Sequence, residues 1–249
     1  MALLHSLEKN GNFLFKYRGQ FPIVLFLSAI PVIYFTDYKL FDENPTLKII
    51  LTSFAIFISF FGQYIRAVAI GTSNKETSGR NTQEQVAEAL NTKGIYSTLR
   101  HPLYLGNYFM WIGIIIYTCN IWFIIIATLL FWLYYGRIMF AEERFLERKF
   151  GQDYVDWSMK IPAFIPSFKN YEKTPIKFSM KTILRREYSG VTATIISFVF
   201  IDFVKTVFES GEIKFEMYQG IIIGVAILIT LILRTLKHKT KILFEADRS

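Results

Sequence analysis

With 249 residues, 52% of them apolar and 17% aromatic, and a mean hydropathy of +0.32, the chain is too hydrophobic for an ordinary soluble domain. A formal charge of +8 would suit nucleic-acid binding, but the basic residues flank apolar runs, which is the mark of membrane orientation. A single cysteine, Cys119, excludes an internal disulfide and a cysteine-based metal site, and no pair among His5, His101 and His238 has zinc-ligand spacing.

In chain order, Glu8, Asn10, Lys16 and Arg18 interrupt any early apolar region and no small-residue cleavage site follows, so a cleavable signal peptide is not expected. Apolar runs follow at Phe21 to Phe35, Leu47 to Ile70, Leu103 to Thr118, Ile121 to Phe140, Val191 to Phe208 and Tyr218 to Leu236. A bilayer core of about 30 Å needs roughly 17–25 helical residues, so the first and third runs are short for a full crossing. The expected fold is all-α: a polytopic integral membrane protein of about six transmembrane helices, with a cytoplasmic connector and helices after the central hairpin. Residues 1–70 would form an N-terminal two-helix membrane segment, and 71–168 a central unit of connector, hairpin and glutamate-bearing helix. Residues 169–249 would form an interfacial basic helix with two C-terminal spans.

Alternate inter-span segments hold most of the basic residues: Lys9, Lys16 and Arg18; Lys75, Arg80, Lys93 and Arg100; Arg137 to Arg186; and Arg234 to Arg248. The opposite segments carry Asp37, Asp42, Glu43, Glu209, Glu212 and Glu216 against few lysines. By the positive-inside rule both termini and the two polar regions, Gly71 to His101 and Ala141 to Glu187, face the cytoplasm. A tight hairpin, turning near Tyr117-Thr118-Cys119-Asn120, would bring those regions together.

The polar cluster Gly94-Ile95-Tyr96-Ser97-Thr98-Leu99-Arg100-His101-Pro102-Leu103-Tyr104-Leu105-Gly106 abuts the third apolar run. Pro102 suits the first turn of a helix, which puts Arg100 and His101 at its mouth, where backbone N–H groups can hold a polar ligand. After the hairpin come Arg137, Glu142-Glu143-Arg144, Phe145, Leu146, Phe150-Gly151, Tyr154, Trp157 and Ile161-Pro162-Ala163-Phe164-Ile165-Pro166. Phe140, Phe145, Leu146 and Phe150 form a stripe at helical spacing with Gly151 as its stop. Taken alone, this is a helix leaving the membrane with a solvated charged face, and His101 alone is more often structural than catalytic. Further on, Thr174-Pro175 predicts a helix start, with Lys177, Lys181 and Arg185 on one interfacial basic face suited to anionic headgroups.

Together, G-x-Y-x-x-x-R-H-P-x-Y-x-G, an apolar hairpin, E-E followed by F-G-x-x-Y, and a P-x-x-I-P ending resemble the isoprenylcysteine carboxyl methyltransferase and phospholipid methyltransferase superfamily, from about Val86 to Pro166. The resemblance implies an S-adenosylmethionine-dependent methyltransferase. It implies cofactor contacts from Leu90, Tyr96, His101, Pro102, Tyr104, Glu142 and Glu143, and an acceptor-orienting arginine best matched by Arg137, one residue further from the glutamates than the pattern expects. Arg80 and Arg100 share the acceptor role, and Arg137 and Glu142 are the residues assigned to catalysis. These types suit the ligand: a sulfonium cation with a ribose diol needs a carboxylate and aromatic faces.

Ser78-Gly79-Arg80-Asn81-Thr82, Gln85-Val86-Ala87, Leu90-Asn91-Thr92 and the two C-terminal spans are similar to bacterial enzymes that O-methylate the 1-phosphate of Kdo2-lipid A. The expected acceptor is therefore an anionic group of a membrane lipid, first a lipid phosphate, in a bacterial inner membrane. The alternatives are a prenylcysteine-like carboxylate and a phospholipid amine. From other classes, an NADPH-dependent sterol-type reductase shares the arginine-histidine turn but usually lacks the paired glutamate, and a transporter would bury ionisable groups near the midplane.

Overall fold

The computed structural model describes residues 2–73 and 85–245, so Lys75, Arg80 and the Ser78 to Thr82 stretch lie outside the described residues. All regular structure among the described residues is helical. An N-terminal helix α1 (Ala2–Lys16) precedes α2 (Phe21–Tyr34), the single turn α3 (Lys39–Asp42) and α4 (Pro45–Gly71). A 3-10 turn at Gly94–Ser97 leads into α5 (Pro102–Ile116), α6 (Ile121–Phe150) and α7 (Gln152–Ser158). The chain ends with α8 (Met180–Ser210) and α9 (Met217–Lys239).

Among the described residues four helices, α4, α6, α8 and α9, are long and apolar enough to cross a membrane; α2 and α5 are shorter apolar helices. At 1.5 Å per residue, the 14 and 15 residues of α2 and α5 span about 21 and 22 Å, so the shortness read from the sequence is real. The protein is an integral membrane protein, and its exposed apolar surface along Ile49 to Phe61, Ile121 to Leu133 and Ile221 to Ile232 is the face such helices turn to lipid.

Local chemistry sets the helix ends. Asn44 and Asn120 cap α4 and α6, accepting hydrogen bonds from Leu47 N and Phe123 N, and Pro45 and Pro102 stand at first-turn positions. Cys119, at φ 60°, closes the hairpin between α5 and α6 where the sequence placed the turn. Gly151, at φ 57°, ends α6 and starts α7, a backbone angle that favours glycine.

One helix is added that the sequence did not predict, and one expectation fails. Ala2–Lys16 is an amphipathic helix packed along α6, tied by Tyr134 OH donating to Leu14 O and by an Arg148–Glu8 ion pair at 2.5 Å. The basic helix expected from Thr174 does not begin there. Residues 171–179 are irregular and α8 starts at Met180, because Ser179 accepts from Thr182 N at 3.1 Å and so supplies the cap that Thr174-Pro175 was expected to provide.

The helices that carry the site are held by a close crossing of α4 and α5. A side chain at Gly62 would strike the backbone of Gly106 and Met110, and one at Gly113 would strike Ser59 and Ala55. Small residues let the two backbones meet, and Ser59 Oγ locks the crossing by donating to Met110 O at 2.7 Å.

Candidate functional site

The R-H-P turn is built by two segments far apart in sequence. The backbone N–H groups of Arg100 and His101 donate to Pro162 O (2.9 Å) and Ala163 O (3.1 Å), and Ser167 N donates to Thr98 O. The Ile161-Pro162-Ala163-Phe164-Ile165-Pro166 run is therefore a clamp that fixes the mouth of α5. Upstream, Gly94 at φ 63° turns the chain so that its N–H reaches Glu172 O at 2.8 Å, and a Cβ there would press on Thr174.

Glu143 joins the turn to α6. One carboxylate oxygen accepts from Arg100 Nε at 2.9 Å and pairs with His101 Nε2 at 2.8 Å, while Arg100 Nη1 also donates to Ser158 O and Ile161 O. Arg100 is thus an anchor between α5, α6 and α7, and Glu143 is consumed in holding it.

The neighbouring Glu142 is different. It faces a cavity of about 240 Å³ enclosed by α1, α4, residues 85–91, the 3-10 turn, and the near ends of α5, α6, α7 and α8. Its Oε2 is buried without a hydrogen-bond partner, 3.8 Å from His101 Nδ1, and two other lining atoms share that condition: Tyr154 Oη and Trp157 Nε1. Buried polar atoms are normally satisfied, at a cost of about 1–3 kcal/mol when they are not. Three such atoms on one cavity describe a surface awaiting polar ligand groups.

Burial and the nearby carboxylates raise the phenols of Tyr96 (beside Glu142) and Tyr154 (beside Glu143) above their ordinary range, so both stay neutral O–H donors at physiological pH. The Tyr104 ring stacks near His101 at 5.6 Å between centroids and meets Tyr135 at 5.1 Å. Aromatic faces and a carboxylate therefore share one chamber, the set expected for a cationic ligand.

Of the candidate residues, Leu90, Tyr96, Arg100, His101, Pro102, Tyr104 and Glu142 all line the cavity. Glu143 does not line it and stands behind, on Arg100 and His101. Arg137 is not brought to it: its guanidinium donates to Leu133 O and lines a separate groove between α1 and α6. Five residues along a helix turn the direction by about 140°, so Arg137 and Glu142 cannot share a face of α6.

In Arg137's place the cavity wall holds residues not assigned from sequence: Arg18, Arg66, Arg186, Glu187, Asn107, Tyr154 and Trp157. Arg66 is fixed by a bidentate pair with Glu187 (Nε to Oε2 2.7 Å, Nη2 to Oε1 2.8 Å) and by Nη1 donating to Asn107 Oδ1 at 2.7 Å. A charge inside an apolar run was the one signal for Arg66. Its partner, 121 residues away, had no local signature.

The chain matches known proteins across this same region. Residues 50–153 match the family model described as phospholipid methyltransferase. The chain is 29% identical over 134 residues to a protein-S-isoprenylcysteine O-methyltransferase of Xenopus laevis, covering 53% of this chain and 46% of that one. It is 28% identical over 133 residues to that of Saccharomyces cerevisiae (53% and 55%), and 27% over 187 residues to that of Tribolium castaneum (69% and 65%). The matches thus span between about half and two thirds of these relatives' length. No solved structure matches. Arg100-His101-Pro102 and Glu142-Glu143 both fall inside the family match.

Proposed function

We propose that this chain, whose resemblance to the isoprenylcysteine carboxyl methyltransferase and phospholipid methyltransferase superfamily holds over residues 50–153, is an S-adenosylmethionine-dependent O-methyltransferase acting on an acid group of a membrane-held acceptor. The observation that carries this reading is the trio of partnerless buried polar atoms on Glu142, Tyr154 and Trp157 around one cavity. A carboxylate acceptor and two N–H or O–H groups fit a molecule with a ribose diol and a charged amino-acid tail. Tyr96, Tyr104 and Leu90 offer aromatic and apolar faces beside them.

Bound S-adenosylmethionine supplies an electrophilic methyl group on a sulfonium. The chain's own residues position and enclose: His101 and Pro102 fix the mouth of α5, Arg100 and Glu143 hold that mouth against α6, and Phe145 and Leu146 keep the chamber dry. An acid acceptor is already anionic near neutral pH and needs no general base. Arg66 is the residue best suited to hold it, because three of the five N–H groups of a guanidinium are used by Glu187 and Asn107 and two remain.

The acceptor assigned here is a prenylcysteine-like carboxylate, in preference to the lipid A phosphate that the sequence first suggested. The relatives named above carry isoprenylcysteine in their names, and a planar carboxylate matches a guanidinium edge. The purified chain in lipid nanodiscs, given methyl-labelled S-adenosylmethionine, should form a base-labile ester on a farnesylated cysteine. Label on Kdo2-lipid A alone would move the assignment to the phosphate, and label on phosphatidylethanolamine to the amine. Binding of NADPH without S-adenosylmethionine would overturn the methyl-transfer reading.

A further inference from the structure

Arg137, left outside the cavity, belongs to a second concave surface. A groove of about 420 Å³ runs between α1 and α6, floored by Leu14 and Tyr134, walled by Phe13, Leu130 and Leu133, and closed at one end by Arg137. Phe13, Leu130 and Leu133 are 62%, 42% and 58% exposed, so the groove opens outward rather than into the protein. The two helices are locked together beside it: a side chain at Gly11 would collide with Arg137 O and come within 2.7 Å of Ala141 Cβ. The groove is therefore a fixed feature of the α1–α6 contact.

Position along the span says what faces it. Ile121 to Gly136 carries no charge, and those residues of α6 rise about 24 Å, close to one bilayer core. Arg137 is the first charge after that stretch and so stands at headgroup level, with the apolar walls below it at the depth of acyl chains. No carboxylate lines the groove among the described residues, and Lys9 and Lys16 lie exposed on the α1 side. The guanidinium spends one N–H on Leu133 O at 2.8 Å, and its planar fork suits a phosphate.

We infer that this groove binds a bilayer phospholipid with a net negative headgroup, its phosphate on Arg137 and an acyl chain along Leu130, Leu133 and Phe13. The site is separate from the cavity by the 140° turn between Arg137 and Glu142, and it does not depend on the methyl-transfer reading. It gives α1 a lipid that bridges it to α6. The ordinary alternative is an arginine that merely reaches the interface beside a lipid-exposed helix.

Native mass spectrometry of the full chain, extracted in mild detergent and offered equal phosphatidylglycerol and phosphatidylcholine with matched acyl chains, tests this. The wild type should retain phosphatidylglycerol at least about fivefold over phosphatidylcholine, equivalent to roughly 1 kcal/mol. Arg137→Gln should bring that ratio to near one, Arg137→Lys should keep part of it, and Phe13→Ala should lower retention of both lipids. No preference in the wild type, an unchanged ratio in Arg137→Gln, or displacement of the lipid by equimolar glycerol phosphate would overturn the inference. Arg137 is only half-buried, and the Phe13→Ala arm tests the acyl wall independently should Arg137→Gln fold poorly.

Discussion

The molecule holds part-buried carboxylates at both ends of its helix bundle, and the two ends treat them oppositely. Near the α5–α6 turn, Asp202 of α8 is completed: Tyr117 OH donates to it at 2.7 Å, Tyr218 OH at 2.5 Å and Gln219 Nε2 at 2.8 Å. Lys205, one turn on, donates to Tyr117 O at 2.5 Å and lies over the rings of Tyr117 and Tyr38 at 4.4 and 5.0 Å. At the other end Glu142 Oε2, Tyr154 Oη and Trp157 Nε1 have no partners. A satisfied cluster joins helices; an unsatisfied one around a cavity stores a cost that a ligand can relieve. Polarity alone does not separate structure from site; between these two clusters the difference is hydrogen-bond completion.

The largest effect expected from that contrast is at the completed end. Asp202→Ala strands three donors that join α5, α8 and α9, and charge-assisted hydrogen bonds contribute about 1.5–3 kcal/mol each before compensation by water. A loss of about 3–5 kcal/mol is expected, read as a lower midpoint in thermal or denaturant unfolding in detergent. The fraction that remains folded should keep wild-type affinity for S-adenosylmethionine. A matching loss of affinity would show that the two ends are one cooperative unit and break the comparison.

Glu142→Ala should do the reverse. It removes a carboxylate whose buried Oε2 has no hydrogen-bond partner, so unfolding of the ligand-free chain should be unchanged or shifted upward. Affinity for S-adenosylmethionine, measured by calorimetry, should fall by roughly 2–3 kcal/mol, or about 30- to 150-fold. Glu143→Gln should lower stability instead, because Arg100 then keeps its carbonyl partners but loses its charge partner. A loss near 2 kcal/mol in unfolding is expected, with a smaller effect on affinity than Glu142→Ala. If Glu143→Gln damaged binding more than Glu142→Ala, the roles of the two glutamates would have to be exchanged.

How far the sequence anticipated this contrast depends on the range of the interaction. Pro102, Asn120, Cys119 and Gly151 act on their own backbone, so the mouth of α5, the hairpin and the end of α6 were legible from local pattern. The adjacency of Arg100-His101 to Glu142-Glu143 followed from one hairpin with both ends on one side. Helix α1 was not anticipated, because its stabilising contacts lie on α6, more than a hundred residues later. Arg66 looked like an isolated charge because Glu187 is brought to it only when α4 and α8 pack. The direction of Arg137 is a matter of helix azimuth: spacing placed it near the glutamates along the chain, while 100° per residue turned it to the lipid side.

The finest test exchanges one hydroxyl at each end. Tyr154→Phe removes a buried O–H that has no partner, and Tyr117→Phe removes one that serves Asp202. The side-chain volumes lost are equal, so hydrogen-bond completion is the variable. Tyr117→Phe should cost about 1–2 kcal/mol in unfolding and leave affinity for S-adenosylmethionine unchanged. Tyr154→Phe should leave unfolding of the ligand-free chain unchanged or slightly improved, and weaken affinity about three- to tenfold, the size of one neutral hydrogen bond near 1 kcal/mol. If Tyr154→Phe destabilised the ligand-free chain while leaving affinity intact, its hydroxyl would be satisfied by solvent, and Trp157 with Glu142 would have to carry the polar contacts alone.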